Sequence, residues 1–155
     1  MENKKLDWCF KIKDGLKIVD TNERLSRSYL KHAKSSLLRA TKNFEDKDLL
    51  WATVTIYYAE YYVLYSFLQR IGIKCENHSC SILAVALLLD GDMIETINKH
   101  KDKRIDAQYY MKIDKESEVK LMIVEAQNFI SEFDELVSNL SDKEIKKYRD
   151  KISSF

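Results

Sequence analysis

Apolar residues recur at helical spacing along most of the chain. In the stretch before residue 45, Leu25, Tyr29, Ala33, Leu37, Ala40 and Phe44 follow one another by three or four positions, which predicts a helix over about 21–44. The preceding "DTNE" sets Asp20 three residues before Glu23, a start resembling a capping box. A polar turn, "EDKD" (45–48), leads to a second helix from about 48 to Gly72. At 100° per residue, Trp51, Val54, Thr55, Tyr61, Tyr62 and Tyr65 lie within about 60° of Tyr58, and Ala52, Ile56, Ala59, Val63 and Phe67 form a second stripe nearly opposite. A helix apolar on two faces needs cover on both, from its own core and, as one option, from a second subunit.

After "IKCENHS", the run "SILAVALLL" predicts a third helix over about 78–89, broken by "DGD" (90–92). Asp92 is placed to cap a short segment through Met93, Ile94 and Ile97, and the basic "KHKDKR" then runs into "KRIDAQYYM" (103–111), a polar interruption. Asp114 precedes a helix of about 25 residues striped by Val119, Met122, Ile123, Ala126, Phe129, Ile130, Phe133, Leu136, Val137 and Leu140. Ser141 and Glu144 repeat the capping-box pattern ahead of a short C-terminal helix. The first twenty residues, punctuated by Gly15, read as an arm laying Leu6, Trp8, Phe10, Leu16 and Ile18 on the core. The expected architecture is all-α: an arm (1–20), an antiparallel up-and-down bundle of four to five helices (21–140) and a C-terminal helix (141–155).

Composition sharpens this. A chain of 155 residues without proline and with three glycines has little to break its helices, and it suits one core that buries about two thirds of the unfolded surface. Twenty-six basic against 25 acidic residues leave a net charge of +1, which excludes a generally polybasic nucleic-acid binder but not a local basic surface. Between Leu49 and Gln69 the sole charge is Glu60. That length spans a bilayer, but a carboxylate at its centre costs roughly 2.5–3.5 kcal/mol and five tyrosines would face lipid, so the expectation is a buried helix and no membrane. Cys9, Cys75 and Cys80 make an odd number without a CxxC pair, and no secretory signal pattern opens the chain, so a cytoplasmic setting is expected.

Cys75, His78 and Cys80 have zinc-type ligand chemistry, but a structural site needs four ligands and no second pair exists. Neither a metal nor a cofactor is expected. Nothing in the sequence sets a histidine beside a thiol as a nucleophile's base, and three widely spaced glycines make no phosphate loop. Glu60 either reaches solvent at the edge of its helix or is a buried carboxylate that must be paired or protonated. In "KRIDAQYY", Arg104 offers a planar fork for phosphate, with Lys101 and Lys103 nearby. Asp106, Gln108, Tyr109 and Tyr110 supply an acceptor, an amide and two phenols. A solvated polar connection has the same composition.

The order of the pieces goes further. "YLKHAKSSLLRA", "WATVTIYYAEYYVLYSFLQRIGIKCENHS", "RIDAQYY" and "KLMIVEAQNFISEFDELV" together resemble the HEPN domain family, in particular its small stand-alone members, over about residues 22–140. The "A…YYA" core of the second helix, the Gly72 to His78 turn and the arginine motif carry the resemblance, and the first twenty residues look like an arm found in some prokaryotic members. The resemblance implies a homodimer in which two arginine motifs meet in a cleft, and a metal-independent endoribonuclease whose motif is arginine, four to six residues, then histidine. It also implies a partnership in some members with a minimal nucleotidyltransferase antitoxin, which modifies a tyrosine near the motif with AMP.

This chain departs from that motif. With four residues intervening after Arg104 comes Tyr109 and with five Tyr110, with no histidine at an allowed spacing, and Ile105 stands where active members often carry a polar residue. A tyrosine with a pKa near 10 is a poor general base at neutral pH. The leading expectation is a homodimer with a degenerate ribonuclease motif that binds nucleotide or RNA through Arg104, Lys103, Asp106, Gln108, Tyr109, Tyr110 and Glu60, or binds a nucleotidyltransferase. The alternatives are an active ribonuclease, with Arg104 aided by His100 or a tyrosine, and a purely structural partner subunit.

Overall fold

The computed structural model describes residues 2–89 and 92–155. Among them are seven helices and one two-stranded ladder: α1 (Glu2–Lys11), β1 (Lys17–Ile18), α2 (Glu23–Glu45), α3 (Leu49–Ile71), β2 (Ile73–Lys74), α4 (His78–Leu88), α5 (Met93–Tyr110), α6 (Glu116–Ser138) and α7 (Asp142–Ser153). The all-α bundle is as expected. Asp90 and Gly91, within the anticipated break, fall outside the described residues.

Helix α3 is the axis, packed by α2, α4, α5, α6 and α7. Ser26, Ala33 and Ala40 bring small, buried side chains of α2 against it, and the Ser26 hydroxyl donates to the Ser66 carbonyl at 2.7 Å. Sixteen of the 23 residues of α3 are buried within one chain, so its second stripe needs no other subunit. The line Trp51, Thr55, Tyr58 and Tyr62 stays partly open, as do Leu49, Leu50 and Arg70 at the helix ends.

The ends of the helices follow local chemistry. Asn22, not Asp20, caps α2 by accepting from the Leu25 amide at 2.9 Å, and Asp48 caps α3 through the Trp51 amide. Gly72 ends α3 in the left-handed region at φ 79°. The guanidinium of Arg149, on α7, donates to the carbonyls of Val19, Ile71 and Gly72 at 2.8–3.2 Å, fastening three segments at that turn. The capping box of Ser141 and Glu144 is present, whereas Asp92 makes no capping bond through its side chain.

Three expectations need correction. "KRIDAQYYM" is no break: α5 runs unbroken from Met93 to Tyr110, as its lack of proline and glycine allows. The arm is a helix and a short strand, with Lys17 and Ile18 paired antiparallel to Lys74 and Ile73. It buries Leu6 and Leu16 but leaves Trp8 54% and Ile18 43% exposed. Finally, Cys9 and Cys80 form a disulfide across 71 residues that tethers α1 to α4, and Cys75 is the free cysteine, buried. Such bonds persist in oxidising surroundings, so in a reducing compartment Cys9 and Cys80 stand as a contacting thiol pair.

Candidate functional site around Arg104

The inner stripe of α5 is Ile94, Ile97, His100 and Ala107, all buried. Lys101, Arg104 and Gln108, spaced by three and four, form the adjoining half-buried stripe. Arg104 lies over the rings of α3, its guanidinium carbon 4.9 Å from the Tyr57 centroid and 5.8 Å from that of Tyr58, with Tyr109 at 5.9 Å. Its Nη1 donates to Gln108 Oε1 at 3.3 Å, and its Nε is buried without a partner. Among the described residues no carboxylate makes an ion pair with it.

His78 closes the other side. Asn77 caps α4 by accepting from the Cys80 amide, which sets His78 in the first turn, facing α3. There its ring stacks on Tyr61 at 3.8 Å, and its Nδ1 shares a hydrogen bond of 2.8 Å with the Tyr57 hydroxyl. Burial pulls its pKa down from 6.5 to about 4, and the positive charges of Arg104 and Lys101 push it the same way. The imidazole is therefore neutral at pH 7. Burial also raises Tyr57 to about 12, against the opposing pull of Arg104, so the phenol keeps its proton. Lys101 donates to the Ser79 hydroxyl at 2.5 Å; its pKa is lowered, first by burial, with Arg104 adding to the effect and Asp102 opposing it. The result is a small electropositive cleft of guanidinium, ammonium, neutral imidazole and phenol.

Of the residues singled out from the sequence, Arg104, Gln108 and Tyr109 come together here. Tyr109 and Tyr110 are 67% and 68% exposed at the end of α5. Asp106 lies about 200° around the helix from Arg104, on another side. Lys103 turns away to Asp114 at 3.0 Å, and that hydrogen bond raises its pKa.

His100 and Glu60 stand elsewhere. Both are 0% exposed, and His100 Nδ1 meets Glu60 Oε1 at 2.7 Å between α5 and α3. Glu60 is raised by burial, with His100 opposing, while Glu60 Oε2 and His100 Nε2 have no hydrogen-bond partner. Glu125 Oε1, 3.7 Å from Nε2, is too distant for one, and the other oxygen of that carboxylate, Oε2, is engaged by Lys99. His100 and Glu60 thus present no exposed surface, in contrast to the half-buried Arg104. The pair positions α5, and with it Arg104, on α3.

The sequence reading missed Tyr57, Tyr58 and His78 as site residues. The signal available was the Gly72 to His78 turn, which returns the chain to the aromatic face of α3.

A sequence model of the HEPN domain matches residues 26–147, more than half of the chain. The chain belongs to the HEPN domain family. The match runs from within α2 into α7 and includes both Arg104 and His78. Comparison with curated proteins and with solved structures gave no match. In this HEPN domain Tyr109 and Tyr110 follow Arg104 where the resemblance calls for histidine, and the histidine that lies near the arginine comes from α4. Among the described residues no three histidine, cysteine or acidic side chains converge to hold a metal, and no helix is long and apolar enough to cross a membrane.

Proposed function

We propose that this HEPN protein is a homodimer that holds a phosphate of a nucleotide or RNA at Arg104, its ribonuclease motif degenerate, and that it works with a minimal nucleotidyltransferase in a toxin–antitoxin-like setting. The observation that carries this reading is Arg104 itself. A guanidinium laid on two aromatic rings, with a buried, unpartnered Nε and no carboxylate, lacks the anion that its fork geometry suits. Lys101 adds charge, and the neutral His78 adds none that would need a counter-ion. The open line of Trp51, Thr55, Tyr58 and Tyr62 borders Arg104 and supports the homodimer, since aromatic surface beside a charged cleft suits burial by a second copy. Exposed Tyr109 and Tyr110 supply hydroxyls that a nucleotidyltransferase can reach.

Titration of ATP and of a short single-stranded RNA into the protein tests the ligand. Binding should weaken about 10- to 150-fold in Arg104→Ala, the worth of a charge-assisted hydrogen bond. Equal affinity in the variant, or no binding near physiological concentration, overturns it.

His78 favours a second reading, cleavage of RNA without metal. With Nδ1 donating to Tyr57, Nε2 is free to take the proton of a ribose 2′-hydroxyl as that oxygen attacks phosphorus. As the bond from phosphorus to the 5′-oxygen breaks, that oxygen leaves with the proton His78 took from the 2′-hydroxyl, and a cyclic 2′,3′-phosphate remains. A base of pKa about 4 is weak in the empty cleft, where burial depresses it most; a bound phosphate offsets the part that comes from Arg104 and Lys101. Incubation with RNA in EDTA should then give cyclic ends that His78→Gln abolishes; intact RNA removes this reading.

A further inference from the structure

Beside the cleft lies a groove of about 760 Å³ between α1, α4 and α5. Ile82 and Ile94 contribute to its apolar floor, Lys4, Lys5 and Lys101 to its rim, and the half-exposed indole of Trp8 to one wall. Its described lining contains no carboxylate. The groove and the cleft share a sill: Lys101, three residues before Arg104, donates to Ser79, the residue after His78. From Ile94 to Arg104 the wall formed by α5 is about 15 Å long.

We infer that this groove binds the bases of a single-stranded RNA whose phosphate sits at Arg104, with Trp8 as stacking platform and Lys4, Lys5 and Lys101 along the backbone. The inference rests on the reading of Arg104 as a phosphate site and extends it from one phosphate to a strand. Continuity decides the class of ligand. A mononucleotide fills only the cleft, whereas about 15 Å accommodates roughly two to four nucleotides, ~3.4 Å apart when stacked and farther when extended. An apolar floor and an indole accept the faces of bases, and a rim of lysines without acids matches a phosphodiester backbone. This combination also gives the arm a purpose that core packing does not: Leu6 and Cys9 anchor α1, leaving Trp8 and the two lysines outward.

The test uses the full chain with Trp51→Phe, so that Trp8 is the remaining indole. A mononucleotide, a dinucleotide and a tetranucleotide of RNA are titrated by fluorescence, with an acidic peptide as competitor. Affinity should rise on the order of tenfold from the mononucleotide to the tetranucleotide, with quenching of Trp8. That gain should vanish in Trp8→Ala, followed by anisotropy of labelled RNA, and shrink in the Lys4→Ala/Lys5→Ala double variant. Circular dichroism checks the fold, which an exposed Trp8 should not affect. Absence of a gain with length, a gain indifferent to Trp8, or equal competition by the peptide overturns the groove. If mononucleotide binding still depends on Arg104, the cleft survives that result; if Trp8 matters and Arg104 does not, the groove survives and the cleft reading fails.

Discussion

Replacing His100 by leucine should be among the most damaging single changes in this protein. The substitution leaves the carboxyl of Glu60, 0% exposed, without its 2.7 Å partner and with both oxygens unsatisfied. Breaking a buried pair from one side costs about 3–5 kcal/mol, and a domain of this size loses about 2–4 °C per kcal/mol, so the melting temperature should fall by roughly 6–20 °C. Glu60→Leu should also destabilise, because it leaves both ring nitrogens of His100 buried without a hydrogen-bond partner. The double change Glu60→Leu/His100→Leu should recover most of the loss, since apolar side chains can replace a buried pair at little net cost. Thermal melts of the four proteins, monitored by circular dichroism, complete the double-mutant cycle. A His100→Leu protein melting within about 2 °C of wild type would refute the buried pair.

Other outcomes follow from particular residues. Because the folded-state pKa of His78 lies near 4 and its ordinary value is 6.5, its contribution is present above pH 6.5 and lost as pH falls through 4. At a half-buried, solvent-screened site this amounts to about 1 kcal/mol, which His78→Gln should remove from the urea-unfolding difference between pH 7 and pH 4. Gly72→Ala forces a side chain into φ 79°, with its Cβ 2.5 Å from the Val19 carbonyl oxygen and 2.0 Å from Arg149 Nη1. A loss of at least about 2 kcal/mol is expected, and an unchanged melting temperature would contradict the described turn. If the proposed homodimer forms through the open face of α3, Trp51→Glu should convert it to the 18.3 kDa monomer in light scattering without lowering helicity, and a wild-type protein that is already monomeric contradicts the dimer.

The sequence carried the long elements and several of their ends. Stripes in α3 and α6 were legible because large apolar side chains mark their buried faces, that of α2 because Tyr29, Leu37 and Phe44 flank the small buried Ala33 and Ala40, and Gly72 and Ser141 signal locally. The motif within α5 was not, because its buried stripe passes through His100 and Ala107, so helical periodicity is masked by polar composition. Glu60 looked like an edge residue on a single-helix wheel; α5 covers that edge, a tertiary fact. Cys9 with Cys80, and Tyr57 with His78, are contacts across 71 and 21 residues that spacing along one element cannot anticipate. Arg104 itself was found by its place in the order of helices, but the groups around it come from α3 and α4.

The protonation of His78, followed by NMR with and without ligand, tests most directly whether Arg104 is a phosphate site. In the free protein the ring should titrate near pH 4, held down by burial and by Arg104 and Lys101. Saturating nucleotide or short RNA should raise that value as phosphate offsets the two charges, and Arg104→Ala should raise it in the free protein and weaken the response to ligand. A ring that titrates at its ordinary 6.5 in the free protein, or one that no phosphate-bearing ligand shifts, would contradict the account.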